Sequence, residues 1–113
     1  MLRQGDIWIE DVSEVPADAV RVQPASGRYV VAEGEATGHA HTIDATPEVE
    51  MYELGGVLYC RIVGSGVKIK HEEHIKWYDV FGNGIVEPVL RGIKRVVRQR
   101  VWDSANAARI VTD

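Results

Sequence analysis

The sequence predicts one all-β domain, a small sandwich or barrel. Glycine and proline turn signals recur at short intervals, and the runs between them are rich in Val, Ile, Tyr and Trp. Short strands at near-regular spacing are typical of sandwiches and barrels. With 113 residues, the chain is long enough to bury a core of its own, so we expect residues 1–113 to form a single domain.

Nine strands are predicted from these runs. They lie near residues 5–10, 19–23, 28–33, 39–43, 50–54, 57–63, 67–70, 76–80 and 93–102. The clearest hairpin turns at Gly55-Gly56, because two-residue Gly-Gly loops match the twist of antiparallel strands. A second turn at 64–66 is predicted to return the chain into the strand at 67–70.

Side-chain alternation predicts which residues of these strands are buried. Leu58, Cys60 and Ile62 are expected to share one face of their strand. Cys60 is the single cysteine and cannot form an internal disulfide, which fits a reducing compartment. Trp8 is expected in the core or as an intersubunit anchor, and the cluster at 77–81 in the core or an interface.

The tail holds the best helical candidate of the chain, residues 103–110. Asp103 or Ser104 could cap its N-terminus. A frayed terminus is the alternative interpretation of the same residues.

The amino-acid composition favours a globular domain over a nucleic-acid-binding or membrane protein. A chain with 45% hydrophobic and 27% charged residues is typical of soluble globular domains. The net charge of -4 argues against a whole-surface nucleic-acid binder. No apolar run approaches the roughly 20 residues of a membrane helix, and the N-terminus lacks a signal-peptide run. We therefore expect a cytoplasmic protein, or a virion component if phage-encoded, with neither membrane nor nucleic acid as its partner.

All four histidines lie in two close pairs, His39 with His41 and His71 with His74. Histidine is the commonest metal ligand and a frequent general acid or base. Residues two apart on a strand share a face, so the first pair can reach one ion or one substrate. The second pair would share a face on a helical turn but not on a strand. The pairing predicts one shared site.

A metal ion is the first interpretation of this site. The expected ligands are His39, His41, His71 and His74. Such ligands favour Zn, Fe, Ni or Mn over Ca or Mg. Glu72 and Glu73 could add an oxygen ligand, an acceptor behind a ligand, or a general base. The alternative for 70–74 is a solvated turn without chemistry.

The stretch from Gly34 to His41 resembles the first cupin motif, in which a glycine precedes a His-x-His strand. The resemblance implies a jelly-roll fold and a metal held by those histidines, a glutamate and a third histidine. Asp44 stands near where the glutamate is expected. The second cupin motif is absent, so the resemblance covers about 15 residues.

A second resemblance covers more of the chain. Gly38-His39-Ala40-His41, His71-x-x-His74 and the terminal stretch 96–103 are similar to elements of a group of small bacterial and phage-type proteins. That group carries a Gly-His-Ala-His element, a His-x-Glu-His element and an ending of the Gln-Arg-Glu-Tyr type. Val101 and Trp102 replace the glutamate and tyrosine of that ending. The group has no established activity, so the resemblance implies only that these segments belong together.

Basic residues concentrate in the last predicted strand. Arg98 and Arg100 would lie on one face together with Trp102. Such a pair could hold a phosphate, a carboxylate or an acidic partner. Pairing with acidic side chains on a solvated face is the alternative.

Three functions follow from these patterns. The first is a β-domain with a histidine-centred metal site, catalytic or structural. The second is a non-enzymatic structural or assembly protein, for example a component of a phage particle. Such a protein would self-associate to cover its strand edges. The third is a metal-free hydrolase of phosphate esters, in which two histidines act as acid and base and Arg98 or Lys70 stabilises the phosphate. The sequence leaves open whether the protein is an enzyme.

Overall fold

The computed structural model describes residues 1–33 and 39–98, and these form ten strands and no helix. The strands are β1 (Leu2–Gln4), β2 (Ile7–Asp11), β3 (Val20–Arg21), β4 (Arg28–Glu33), β5 (Ala40–Asp44), β6 (Val49–Leu54), β7 (Val57–Lys68), β8 (Lys76–Tyr78), β9 (Gly84–Val86) and β10 (Val89–Arg98). Eight of them form an antiparallel sheet in the order β3-β6-β7-β10-β2-β1-β8-β9, and β4 pairs with β5 in a separate hairpin. The predicted all-β class is confirmed.

The core lies between the eight-stranded sheet and the β4–β5 hairpin. Alternating side chains of the sheet, such as Ile9 and Met51, form one buried cluster with Tyr29 of β4 and Ile43 of β5. Ile43 is fully buried. Trp77 of β8 is also buried in this cluster. The hairpin is therefore held to the sheet by apolar contacts, and it carries the first histidine pair.

The opposite face of the sheet bears half-buried aromatic and charged side chains. Trp8 lies there rather than in the core, because it alternates with the buried Ile7 and Ile9. The guanidinium groups of Arg21 and Arg61 lie 5.6 and 5.7 Å from the centre of the Tyr52 ring. Cross-strand pairs of this kind stabilise a solvated sheet face.

The Gly55-Gly56 hairpin is confirmed. Both glycines have positive φ, +61° and +83°, as a tight turn between β6 and β7 requires. The predicted alternation beyond the turn is also confirmed for Cys60 and Ile62, which are buried. Burial raises the pKa of the Cys60 thiol to about 11, so this cysteine is an apolar core residue.

The predicted turn at 64–66 is wrong, since β7 runs without interruption from Val57 to Lys68. Its register with β10 shifts between Leu90 and Gly92, which marks a bulge-like irregularity. Gly66 has φ +104°, and a Cβ there would lie 2.8 Å from the Leu90 carbonyl oxygen. Gly66 therefore allows a close approach of β7 and β10 rather than a reversal of the chain.

Four other features of the strands differ from the prediction. The strand expected at 5–10 is two strands, because Gly5 and Asp6 form the turn between β1 and β2. The short edge strand β9 was not predicted, and β10 begins at Val89 rather than near residue 93. β8 ends at Tyr78, and the exposed Phe81 follows in a loop. Trp77 alone of that predicted aromatic cluster enters the core.

The predicted C-terminal helix at 103–110 and the residues Arg100 and Trp102 lie outside the described residues. In the part of the chain that the structure describes, no helix is long and apolar enough to cross a membrane.

Candidate functional site

Strand β5 positions the first histidine pair. His41 occupies an inward position of the strand, two residues before Ile43, and only 2% of its surface is exposed. His39 immediately precedes the strand, and 35% of its side chain is exposed. His41 is thus buried within the strand, whereas His39 lies before the strand and nearer the surface.

The second pair reaches β5 through one isolated bridge between Thr42 and Lys70. Two backbone hydrogen bonds of 2.9 and 2.8 Å form this bridge, with each residue donating its N–H to the other's carbonyl. The bridge fixes the following residue, His71, beside the first pair. His71 is buried, with 6% exposed.

Residues 71–74 form a turn, neither strand nor helix. The His74 N–H donates to the His71 carbonyl at 2.9 Å, and His74 has a left-handed backbone, φ +55°. This turn sends the His74 side chain, 68% exposed, towards Glu87, whose Oε2 lies 3.8 Å from His74 Nδ1.

Three of the four predicted histidines come together. The ring centres of His41 and His71 are 4.6 Å apart, and those of His39 and His71 are 6.0 Å apart. The sequence separation of about 30 residues is bridged by the contact between 42 and 70. His74 has Glu87 as its charged neighbour instead.

The tautomer of His41 follows from its neighbour. Its Nε2 lies 3.3 Å from the amide oxygen of Gln4, which can only accept, so Nε2 carries the proton. Nδ1 is then a lone pair, buried and without a hydrogen-bond partner among the described residues. Burial, followed by the charge of His71, lowers the pKa of His41 from 6.5 to about 4. His41 is therefore neutral at pH 7, and its Nδ1 carries a lone pair.

His71 has the same tautomer for a different reason. The backbone N–H of Glu73 donates to its Nδ1 at 3.0 Å, so the proton of the neutral ring is on Nε2. Coordination of a metal through Nε2 requires that proton to leave or to move to Nδ1, and movement to Nδ1 breaks the contact with Glu73. Consistently, no group of three His, Cys, Asp or Glu within residues 1–33 and 39–98 is arranged to hold a metal ion.

Two carboxylates orient His39. Its Nε2 lies 3.7 Å from Glu72 Oε1, and its Nδ1 lies 3.3 Å from Glu73 Oε2. Carboxylates in such positions fix the ring orientation and raise the basicity of a ligating histidine. Both glutamates thus lie beside His39, which leaves the three predicted roles, oxygen ligand, acceptor behind a ligand or general base, open.

A cleft of about 540 Å³ opens on the side of β5 away from the core. Its lining includes Arg28, His39, Asp44, Lys70, His71 and His74. Its size suits a small molecule. Two members of the histidine cluster, His39 and His71, thus line an open cleft.

The wall of this cleft contains an unusual backbone feature. Ser26, His74 and Glu87 are the described non-glycine residues with positive φ, and the last two line the cleft and face one another. A left-handed backbone at such residues is unfavourable by roughly 1–3 kcal/mol each. Residues held in this conformation concentrate at ligand sites.

The predicted anion site is only partly described. Arg98 donates to Asp6 at 3.2 Å and to the Glu33 carbonyl at 3.2 Å, the paired arrangement given above as the alternative. Arg100 lies outside the described residues.

Sequence reasoning missed Gln4 and Arg28. No local signal marks Gln4, because it reaches His41 through the packing of β1 near β5. Arg28 could have been found, since pairing of the predicted strands 28–33 and 39–43 in a hairpin places it opposite Asp44.

Comparison with protein families gives a match. Residues 3–78, which include all four histidines, match a family described as a domain of unknown function (DUF8820). No curated protein and no solved structure matches the chain.

Proposed function

We propose that this chain, which belongs to the DUF8820 family of unknown function, is a β-domain that binds a divalent transition metal through His39, His41 and His71. The observation that carries this proposal is the buried Nδ1 of His41, which has no partner among the described residues, on a ring whose centre lies 4.6 Å from that of His71. Leaving such a nitrogen unsatisfied costs roughly 1–3 kcal/mol. A metal ion at Nδ1 removes that cost, because it accepts the lone pair.

The residues around each ligand support this assignment. Gln4 accepts the Nε2 proton of His41, the arrangement by which a carbonyl fixes the tautomer of a ligating histidine. Glu73 contacts His39 in a similar role. His71 becomes a ligand by giving up its contact with the Glu73 N–H, so metal binding rearranges the turn at 71–74.

Three imidazoles favour Zn, Fe, Ni or Mn and leave at least one coordination position open. An open position is characteristic of catalytic rather than structural sites. We place His74 outside the ligand set, because it contacts Glu87 and is mostly exposed.

Elemental analysis of the purified protein tests the proposal. We expect one equivalent of a transition metal in the wild type and in His74→Ala, and loss of that metal in His39→Ala. His39 is half-exposed, so circular dichroism is expected to show an intact fold in this variant. A His39→Ala protein that keeps its metal, or a wild type that binds none after incubation with Zn, Fe, Ni and Mn salts, contradicts the proposal.

A specific observation favours self-association as a second function. Phe81 and Val80 are 85% and 63% exposed, and Asp79 fixes their loop by accepting from the N–H groups of Phe81 and Asn83, each at 2.9 Å. A rigid apolar tip suits contact with another protein surface. Mass measurement in solution tests this, since a monomer at high concentration contradicts it.

A further inference from the structure

The cleft beside the histidines carries charges that are nearly all matched. Asp44 lies 3.2 Å from the Lys70 ammonium. Glu72 lies 3.7 Å from His39, and Glu87 lies 3.8 Å from His74. Each of these three carboxylates therefore has a basic neighbour within the cleft.

Arg28 is the exception. It lies directly across from Asp44 in the β4–β5 register, yet Asp44 pairs with Lys70. The Arg28 guanidinium has no ion pair or side-chain hydrogen bond with the described residues, and the residue is exposed. Among residues 1–33 and 39–98, this positive charge of the cleft thus has no paired carboxylate.

The charged groups are also separated along the strand. His39 lies at one end of β5 and Asp44 at the other, with Arg28 opposite Asp44. Five residues of strand span about 16 Å. The cleft therefore has a histidine end and an arginine end.

We infer that this cleft binds an elongated small organic acid, whose oxyanion is held by Arg28 while its other end reaches the histidines. A guanidinium binds carboxylate and phosphate groups by paired hydrogen bonds, so the recognised chemistry is a planar or tetrahedral oxyanion. The left-handed backbones of His74 and Glu87 shape the wall between the two ends. The inference rests on the proposed function for one point, the metal at the histidine end.

Calorimetric titration of the metal-loaded protein tests the inference with two probes long enough to reach from Arg28 to the histidines, dodecanedioate for the carboxylate source and decane-1,10-diyl bisphosphate for the phosphate source. We expect saturable binding of at least one, weakened about tenfold or more in Arg28→Ala and partly restored in Arg28→Lys. Arg3→Ala, which removes an exposed arginine of β1 outside the cleft, is the matched control and is expected to bind as the wild type does.

Equal binding by Arg28→Ala and the wild type, or saturation by neither probe, overturns the inference. Its failure is distinguishable from failure of the metal proposal, because Arg28→Ala is expected to retain the full metal content. The same titrations on metal-free protein provide the second arm. If the metal-free wild type binds a probe and metal-free Arg28→Ala does not, the oxyanion site is supported even when the protein binds no metal.

Discussion

Acidification of the metal-free protein is expected to destabilise it through His41. The pKa of His41 falls from 6.5 to about 4 on folding, because the ring is buried and lies near His71. The unfolded chain therefore binds a proton between pH 6.5 and 4 that the folded protein does not bind. Stability contributed by the neutral ring is complete above pH 6.5 and is lost as the pH falls towards 4.

The magnitude follows from the two pKa values. Each tenfold change in an acidity constant corresponds to about 1.4 kcal/mol. The difference between the two pKa values of His41 therefore corresponds to a loss of about 3 kcal/mol in the free energy of unfolding once the pH is well below both. Between pH 7 and pH 5 the free energy of unfolding is expected to fall by about 2 kcal/mol from this group. The pKa values of Asp11, Glu50 and Asp79 are lowered by their hydrogen bonds. Protonation of these carboxylates therefore reduces the free energy of unfolding at lower pH than protonation of His41 does.

Urea denaturation at pH 7 and pH 5, in the presence of a chelator, measures this loss. In His41→Gln the side chain no longer titrates, and we expect the difference between the two pH values to shrink by about 2 kcal/mol. His74→Gln removes an exposed histidine and is expected to keep the wild-type difference. An unchanged pH dependence in His41→Gln refutes the reasoning, whatever the absolute stability of that variant.

Three further substitutions have defined outcomes. Trp77→Ala removes a fully buried side chain and is expected to lower the free energy of unfolding by about 3–5 kcal/mol in urea denaturation; a loss below about 1 kcal/mol contradicts its place in the core. Gly66→Ala places a Cβ against β10 at a positive φ, so a loss of more than about 1 kcal/mol is expected by the same assay. Phe81→Ser changes an exposed loop tip and is expected to leave stability within about 0.5 kcal/mol while lowering the mass of any oligomer in analytical ultracentrifugation; an unchanged oligomer excludes this tip as the contact.

Local patterns predicted the strands because alternation and turn residues act over a few residues. The Gly55-Gly56 hairpin and the inward positions of Cys60 and Ile62 depend only on such short-range rules. The glycines at 64 and 66 gave the wrong answer, because a glycine that reverses the chain and one that admits a close strand have the same local signal. The difference lies in β10, more than 20 residues away.

The candidate site was predictable in part for the same reason. The relation between His39 and His41 is fixed by the geometry of one strand. The position of His71 depends on the bridge between Thr42 and Lys70, which joins distant segments and leaves no mark in either. The tautomer of His41 depends on Gln4 of β1, which lies 37 residues earlier in the sequence.

The hairpin of β4 and β5 is a separate sheet, joined to the rest of the described structure by core contacts, by the two backbone hydrogen bonds of the 42–70 bridge and by polar contacts of Glu33, His41 and Asp44 with side chains outside the hairpin. It can therefore open as a local unit while the eight-stranded sheet stays paired. Opening separates His39 and His41 from His71. A ligand shared by the three rings binds only the closed form, so it slows amide exchange in the hairpin more than in β7 or β10. The site thus joins the separate β4–β5 sheet to the segment that follows β7.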